Sequence, residues 1–261
     1  MSASARKEKI RDYFLKYKSA SVADLAATFR VSEETIRRDL AALDREGFVV
    51  RTHGGAVFAK RVSKTVDNEA LGRVFLENKR VIAEQCMDFI HEGDCIFLDA
   101  STTAGTICDL IAGMNLTVLT NSLQVVNSLC RSEGINLICV GGTYSANRNC
   151  FLGRTTNEVL KAHFVDTAFI SCRSLSMEYG ITDSNDDEAE SKQIICKHAN
   201  RVCMLADHSK FGMTSFTKVC DFSDIHDLVT DEPLSEEWLH FAEDLGIRVW
   251  DTAVHGEPAE E

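Results

Sequence analysis

The chain has 261 residues, of which 44% are hydrophobic, enough for one small and one medium domain each with its own core, so a disordered chain is excluded. No apolar run approaches the roughly 18 to 20 residues that cross a bilayer, and the first thirty residues are charged and helical rather than signal-like, so a cytoplasmic protein with no membrane partner is expected. The net charge of −12 is unevenly spread: residues 1–60 carry 12 Lys+Arg against 8 Asp+Glu, and the rest 16 against 32, a basic head on an acidic body that fits DNA contact at one end only.

In chain order, Ile10, Tyr13, Phe14 and Tyr17 recur at spacings of three and four and predict a first amphipathic helix over Arg6–Tyr17. After a connection through Lys18-Ser19-Ala20, Ser21 can cap a second, two-turn helix whose apolar positions are Val22, Leu25, Ala26 and Phe29. The tight turn Arg30-Val31-Ser32 leads into a third helix, with Ser32 as N-cap and Glu33-Glu34 at its positive end. Ile36, Leu40 and Leu43 form one stripe of that helix, and Glu34, Arg38, Ala41 and Arg45 the opposite one, flanked by Thr35 and Arg37. Gly47 ends it, and Phe48–Arg51 and His53–Val57 read as two strands around a Gly-rich turn, a small wing.

The predicted organisation is a winged helix-turn-helix over 1–57, a connection over 58–77, an α/β domain over 78–254 and a flexible tail over 255–261. In the α/β domain, helical stretches (79–90, 103–111, 122–130, 188–198, 236–245) alternate with short apolar strands (95–99, 116–120, 136–140, 165–171, 202–206, 225–230, 247–249), the mark of parallel strands with crossover helices. Ten cysteines are scattered without a CxxC pair, most beside apolar residues, so they read as small hydrophobes in a reducing compartment. Neither a disulfide framework nor a metal site is expected, and no cofactor.

Reading DNA in the major groove needs side chains near a helix N-terminus that reach base edges and phosphates, and Thr35, Arg37 and Arg38 suit this, with Arg51 and His53 placed on the wing to reach the backbone or minor groove. A three-helix module with arginines could equally be a protein-interaction domain on periodicity alone. The runs Val31-Ser32-Glu33-Glu34-Thr35-Ile36-Arg37-Arg38-Asp39-Leu40 and Arg51-Thr52-His53-Gly54-Gly55-Ala56, however, closely resemble the recognition helix and wing of the DeoR family of sugar-metabolism repressors. The resemblance implies that Ser32, Glu34, Thr35, Arg37, Arg38, Arg51, His53 and Gly54 face double-stranded operator DNA, and that the protein works as a homo-oligomer, a dimer or tetramer.

In the body, Asp99-Ala100-Ser101-Thr102-Thr103 follows a strand and opens a helix, an arrangement suited to phosphate, although such Ser/Thr caps are common for structural reasons alone. Thr120-Asn121-Ser122 and Gly141-Gly142 end two further strands. DeoR-type sensors carry a similar D-x-G-[ST]-T loop, a TNS segment, a GG pair and a D-x-S-K-F motif, matched here by Asp207-His208-Ser209-Lys210-Phe211, with Ala100 where the family often has glycine. The resemblance implies a phosphorylated-sugar effector held by Asp99, Ser101, Thr102, Thr103, Asn121, Ser122, Gly141, Gly142, Arg173, Glu190 and Lys210, in a domain similar in fold to ribose-5-phosphate isomerase. That likeness raises an enzyme as the alternative, covering the Ser101–Thr103 loop, Glu190, Lys192 and Lys210. Where the isomerase has an acidic DGADE loop this chain reads Ser171-Cys172-Arg173-Ser174-Leu175, with no general base and a cation instead, so binding without turnover is expected. Arg148 is weighed as a ligand contact against an exposed loop residue.

Overall fold

The computed structural model describes residues 3–17, 19–45, 48–58 and 76–252. Gly47, residues 59–75 of the connection expected over 58–77, and the tail expected over 255–261 lie outside the described residues, while Phe58 belongs to a strand and residues 76–77 to a helix. The chain divides into two compact units, residues 1–66 and 67–261.

In the first unit, helices α1 (Ala3–Tyr17), α2 (Val22–Phe29) and α3 (Glu33–Arg45) pack with a three-stranded antiparallel sheet of order β1 (Ser19–Ser21), β3 (Gly55–Phe58), β2 (Val49–Thr52). The apolar stripes read from sequence form the core: Ile10, Phe14, Leu25, Ile36, Leu40 and Leu43 are all fully buried, each contributing about 1.5–3 kcal/mol. Ser21 caps α2 by accepting from the Asp24 N–H at 3.0 Å, as expected. Ser19-Ala20 is not a bare connection but strand β1, which pairs Ser19 with Val57 and Ser21 with Gly55. That pairing explains one of the wing's glycines: a Cβ on Gly55 would overlap the Ala20 carbonyl oxygen, whereas a Cβ on Gly54 would meet nothing.

The second unit is built on a seven-stranded parallel sheet of order β15 (Arg248–Trp250), β14 (Asp227–Val229), β12 (Ala199–Leu205), β9 (Val165–Ser171), β4 (Cys95–Leu98), β5 (Leu116–Thr120), β6 (Ile135–Cys139). Alternate residues of each strand enter cores on opposite faces: Phe97, Ala168, Ile170, Val202 and Met204 on one, Ile96, Leu98, Phe169, Cys203 and Leu205 on the other. Burial on both faces is what parallel strands covered by crossover segments require. The described helices of this unit are α4 (Leu76–Cys86), α5 (Cys108–Ile111), α6 (Leu123–Leu129), α7 (Arg154–Lys161), α8 (Asp186–Cys196) and α9 (Glu236–Asp244). The helix expected over 103–111 is a 3-10 turn, Ala104–Ile107, running into the short α5. Two small antiparallel elements were not legible in the alternation: the hairpin β7 (Thr143–Ser145) with β8 (Cys150–Leu152), and the sheet β10 (Ser174–Ser176), β11 (Gly180–Asp183), β13 (Thr217–Cys220).

From β4 the chain steps outward through β5 and β6, then returns to the other side of β4 as β9 and steps outward again through β12, β14 and β15. The order therefore reverses between β4 and β9, and the crevice beyond their carboxyl ends is where open α/β sheets bind ligands. At the amino end of β14 the fully buried Asp227 is clasped by Arg201 (2.6 and 2.9 Å) and by the Trp250 indole N–H (2.9 Å), pinning the edge strands away from that crevice. Arg201 also lies over the Phe89 ring, 4.0 Å from its centroid.

Candidate functional site

The first unit separates residues that fold the head from residues left facing solvent. Ser32 accepts from the Thr35 N–H at 3.3 Å, so it caps α3, and its hydroxyl lies 2.9 Å from that of Thr35. Ser32, Glu34, Arg37 and Arg38 are exposed and Thr35 is half-buried. Asp39 points inward, where the Arg6 guanidinium holds it at 2.6 Å and ties α1 to α3. Arg37 pairs with Glu33 at 2.5 Å and Arg38 with Glu34 at 3.4 Å, one helical turn apart on the surface. Exposed pairs of this kind contribute about 0.3–0.5 kcal/mol, so a phosphate or base can replace the carboxylate at little cost. Arg51, His53 and Gly54 are exposed on the wing, and the Arg51 N–H donates to Asp44 at 3.3 Å, fixing the strand to α3.

In the second unit the expected site residues gather at the carboxyl ends of the strands, though not all in the expected roles. Asp99 is buried and acts as a bolt across the crevice: Oδ1 accepts from the Ser101 N–H and Oδ2 from the Ser171 N–H, both at 2.9 Å, which locks the loop after β4 to the end of β9. The Ser101 hydroxyl accepts from the Ala104 N–H at 3.0 Å; Ser101 and Thr102 are half-buried and Thr103 is buried. Ser122 is consumed as the N-cap of α6, accepting from the Val125 N–H at 3.3 Å. Asn121 donates through Nδ2 to the Phe151 carbonyl at 3.2 Å, and its buried Oδ1 has no hydrogen-bond partner. Gly141 and Gly142 have positive φ, 64° and 122°, and a Cβ on Gly142 would collide with the Thr156 side chain. Thr156 in turn donates to the Gly141 carbonyl at 2.7 Å. Lys210 donates to the Ser171 hydroxyl at 2.6 Å and lies 3.8 Å from Asp207.

Arg173 is half-buried and its N–H donates to the Thr182 carbonyl at 3.0 Å, because Ser171–Leu175 runs from β9 directly into β10 rather than forming an open loop. Beside it, burial pushes the Cys172 thiol up to about 12.

Two expectations are corrected. Glu190 lies on the exposed face of α8, since at 100° per residue it points away from the face shared by Glu188 and Lys192; those two, four residues apart, are the buried pair. Arg148 is not an exposed loop residue: it is buried, with Nε 3.2 Å from Glu188 and the guanidinium donating to Ser184 at 2.7 Å.

The sequence reading also missed Lys79, Asp183 and Glu188, and it gives Asp207 only as the first residue of the 207–211 motif. Lys192 lies 2.6 Å from Asp183 and 3.5 Å from Asp99. Against the cost of burial, Asp183, Asp99 and Glu188 hold the Lys192 ammonium well above the usual lysine range. Burial disfavours the charged form of Asp183, yet Lys192 and Arg148 bring its carboxyl below its ordinary value; for Glu188 burial prevails and raises it. Lys79, in the first turn of α4, is buried, and burial brings it down to about 8, with Asp207 opposing and Lys210 reinforcing the shift. Its carbonyl accepts from Thr106, which also donates to Thr103, so α4 packs on the turn after β4. Lys79 and Lys210 thus both act on the charge of Asp207, while Asp99, Asp183 and Glu188 act on that of Lys192. The signals that could have found the missed groups were the i, i+4 spacing of Glu188 and Lys192 and a lysine at the start of the helix before β4.

Among the described residues, no helix is long and apolar enough to cross a membrane. A profile of the DeoR-like helix-turn-helix domain matches residues 6–62, and one of the DeoR C-terminal sensor domain matches residues 75–232. The HTH-type transcriptional regulator IolR of Bacillus subtilis (strain 168) is 30% identical over 94% of this chain and 97% of its own length. The L-fucose operon activator of Haemophilus influenzae is 32% identical over 93% of this chain and 97% of its own. Among solved structures, ribose 5-phosphate isomerase A of Methanocaldococcus jannaschii overlaps 52% of this chain and 55% of its own, with 16% identity and a TM-score of 0.38. With both domain profiles matched in order and full-length relatives that regulate transcription, the chain belongs to the DeoR family of helix-turn-helix transcriptional regulators.

Proposed function

We propose that this protein represses a carbohydrate-utilisation operon in the cytoplasm, as a homo-oligomer on double-stranded operator DNA, and that a phosphorylated sugar bound at the strand ends of the second unit controls it. Ser32, Glu34, Thr35, Arg37, Arg38, Arg51, His53 and Gly54 face the DNA in this reading. The effector's phosphate lies against Lys79 and Lys210 and the half-buried Ser101-Thr102 of the β4 loop. Its hydroxyls lie toward Asn121, Gly141-Gly142, Arg148 and Arg173, while Asp99 shapes the loop from behind. The observation that carries the effector reading is Lys210, whose ammonium lies 2.6 Å from the Ser171 hydroxyl at the carboxyl end of β9, beside the sheet's topological switch point. The test is a thermal-shift series on the full chain with matched phosphorylated and unphosphorylated sugars. A phosphorylated sugar should raise the melting temperature and its unphosphorylated form should not, since a ligand specific for the folded state stabilises it. Equal shifts from both forms would remove phosphate from the account.

One observation favours the enzyme reading: Glu188 faces inward and burial raises its carboxyl pKa, as in a general base. The arrangement nevertheless supports binding without turnover, because Arg148 lies 3.2 Å from Glu188, and the segment after β9 supplies a serine, a thiol and a cation where proton transfer needs a base. Purified protein is expected to form no ketose from ribose 5-phosphate. Turnover that disappears in Glu188→Gln would make the chain an isomerase with a DNA-binding head.

A further inference from the structure

We propose that His208, Asp231 and Glu232 form a divalent-cation site at the carboxyl edge of the sheet. His208 opens the 3-10 turn after β12, and Asp231 and Glu232 follow β14; the parallel pairing of β12 with β14 brings together residues 23 apart in sequence. The His208 Nδ1 atom lies 2.7 Å from Asp231 Oδ2 and 3.4 Å from Glu232 Oε1, and one potential ligand atom from each residue falls within 4.8 Å of the others. Ligand atoms bound at about 2.0–2.2 Å from one metal ion stand roughly 2.8–3.5 Å apart around a tetrahedron or octahedron, so the two distances from His208 are close to coordination edges.

The geometry already gathers these groups about one positive charge: with Nδ1 protonated, His208 attracts both carboxylates, which otherwise repel one another. A cation in place of that proton attracts all three: the neutral imidazole supplies the Nδ1 lone pair, and the Nδ1 proton leaves to solvent. The buried carboxylate is already oriented, as outer-shell partners orient metal ligands. Asp231 accepts from the His208 backbone N–H at 2.7 Å and from the Asn78 amide at 2.5 Å. The Glu232 side chain is 55% exposed, which leaves an entry path and open positions for water. One imidazole with two carboxylates suits Zn²⁺, Co²⁺ or Mn²⁺ rather than a soft metal such as Cu⁺.

The probe is Co²⁺, whose visible bands report coordination, titrated into the full chain with its thiols kept reduced. One equivalent per chain should bind without thiolate-to-metal charge transfer. His208→Ala should abolish binding, Glu232→Gln should weaken it at least tenfold, and Asn78→Ala should weaken it about 10–100-fold through the outer shell. Glu232 is exposed, so its variant keeps the test meaningful even if His208→Ala folds poorly. Absence of stoichiometric binding, a thiolate spectrum, or an affinity unchanged in Glu232→Gln would overturn the site.

Discussion

The two units treat charge in opposite ways. In the head, Arg37 and Arg38 are exposed and weakly paired with neighbours one turn away, so their charge is available to a partner. In the body, Lys192, Asp183 and Asp99 are buried and held by one another, and Asp207 is buried beside Ser209 and Lys210. A motif therefore means different things in the two places. In the head, the Val31–Leu40 run divides between folding (Ile36, Asp39, Leu40) and exposure (Glu34, Arg37, Arg38), with Ser32 exposed but spent as the N-cap of α3. In the body, most hydrogen-bonding groups of the Asp99–Thr103 and Thr120–Ser122 loops are taken up in holding the loops themselves.

The contrast predicts its largest effect at Lys192. Lys192→Met leaves Asp99 and Asp183 buried without their cation and should destabilise the second unit by about 3–5 kcal/mol, read from denaturant unfolding. A change under about 1 kcal/mol would mean that the buried cluster does not hold the strand ends. The wing offers a sharper comparison within one dipeptide. Gly55→Ala forces β1 and β3 apart and should destabilise the head by about 1–3 kcal/mol, while Gly54→Ala should leave its stability within about 0.5 kcal/mol. Equal effects at the two glycines would contradict the assignment of Gly55 to packing.

At the presented face, Arg38→Ala should weaken operator binding by about 1–3 kcal/mol if the side chain reads a base, with little change in stability because its pair with Glu34 is exposed. Operator affinity equal to wild type at matched salt would take Arg38 off the reading surface. The smallest effect is a pH dependence. With its folded pKa brought down to about 8 from the usual 10.5, Lys79 loses its charge in the folded chain before it does in the unfolded one. Its contribution to stability is therefore unfavourable below pH 8 and relieved as pH rises toward 10.5. Over the same rise through pH 8, affinity for inorganic phosphate, already dianionic, should fall several-fold, and Lys79→Met should flatten that fall. A flat profile in the wild type would place the phosphate away from Lys79.

Much of this was legible in the sequence where periodicity and local chemistry decide structure. The stripes Ile10/Phe14 and Ile36/Leu40/Leu43, the caps at Ser21 and Ser32, and the seven parallel strands follow from patterns within a few residues of one another. What escaped depends on contacts distant in sequence. β1 is three residues long and exists because Gly55 admits the Ala20 carbonyl; the β10, β11, β13 sheet joins segments about forty residues apart. The resemblance points to Glu190 because a motif match carries no helical phase, while the burial of Glu188, Ala189, Ser191 and Lys192 fixes which side of α8 faces in. Lys79 was passed over because a lysine in a first helical turn ordinarily faces water, and only the packing of α4 on the β4 loop turns it inward.

The central claim is that charge presented by the head and charge enclosed by the body are linked through one effector. The direct measurement is operator affinity of the full chain across phosphorylated sugars, for wild type and Lys210→Met. The account predicts that at least one phosphorylated sugar changes wild-type affinity by about 5-fold or more. Lys210→Met should bind operator like wild type and ignore that sugar; an undiminished response in Lys210→Met, or no response to any phosphorylated sugar in wild type, would contradict it.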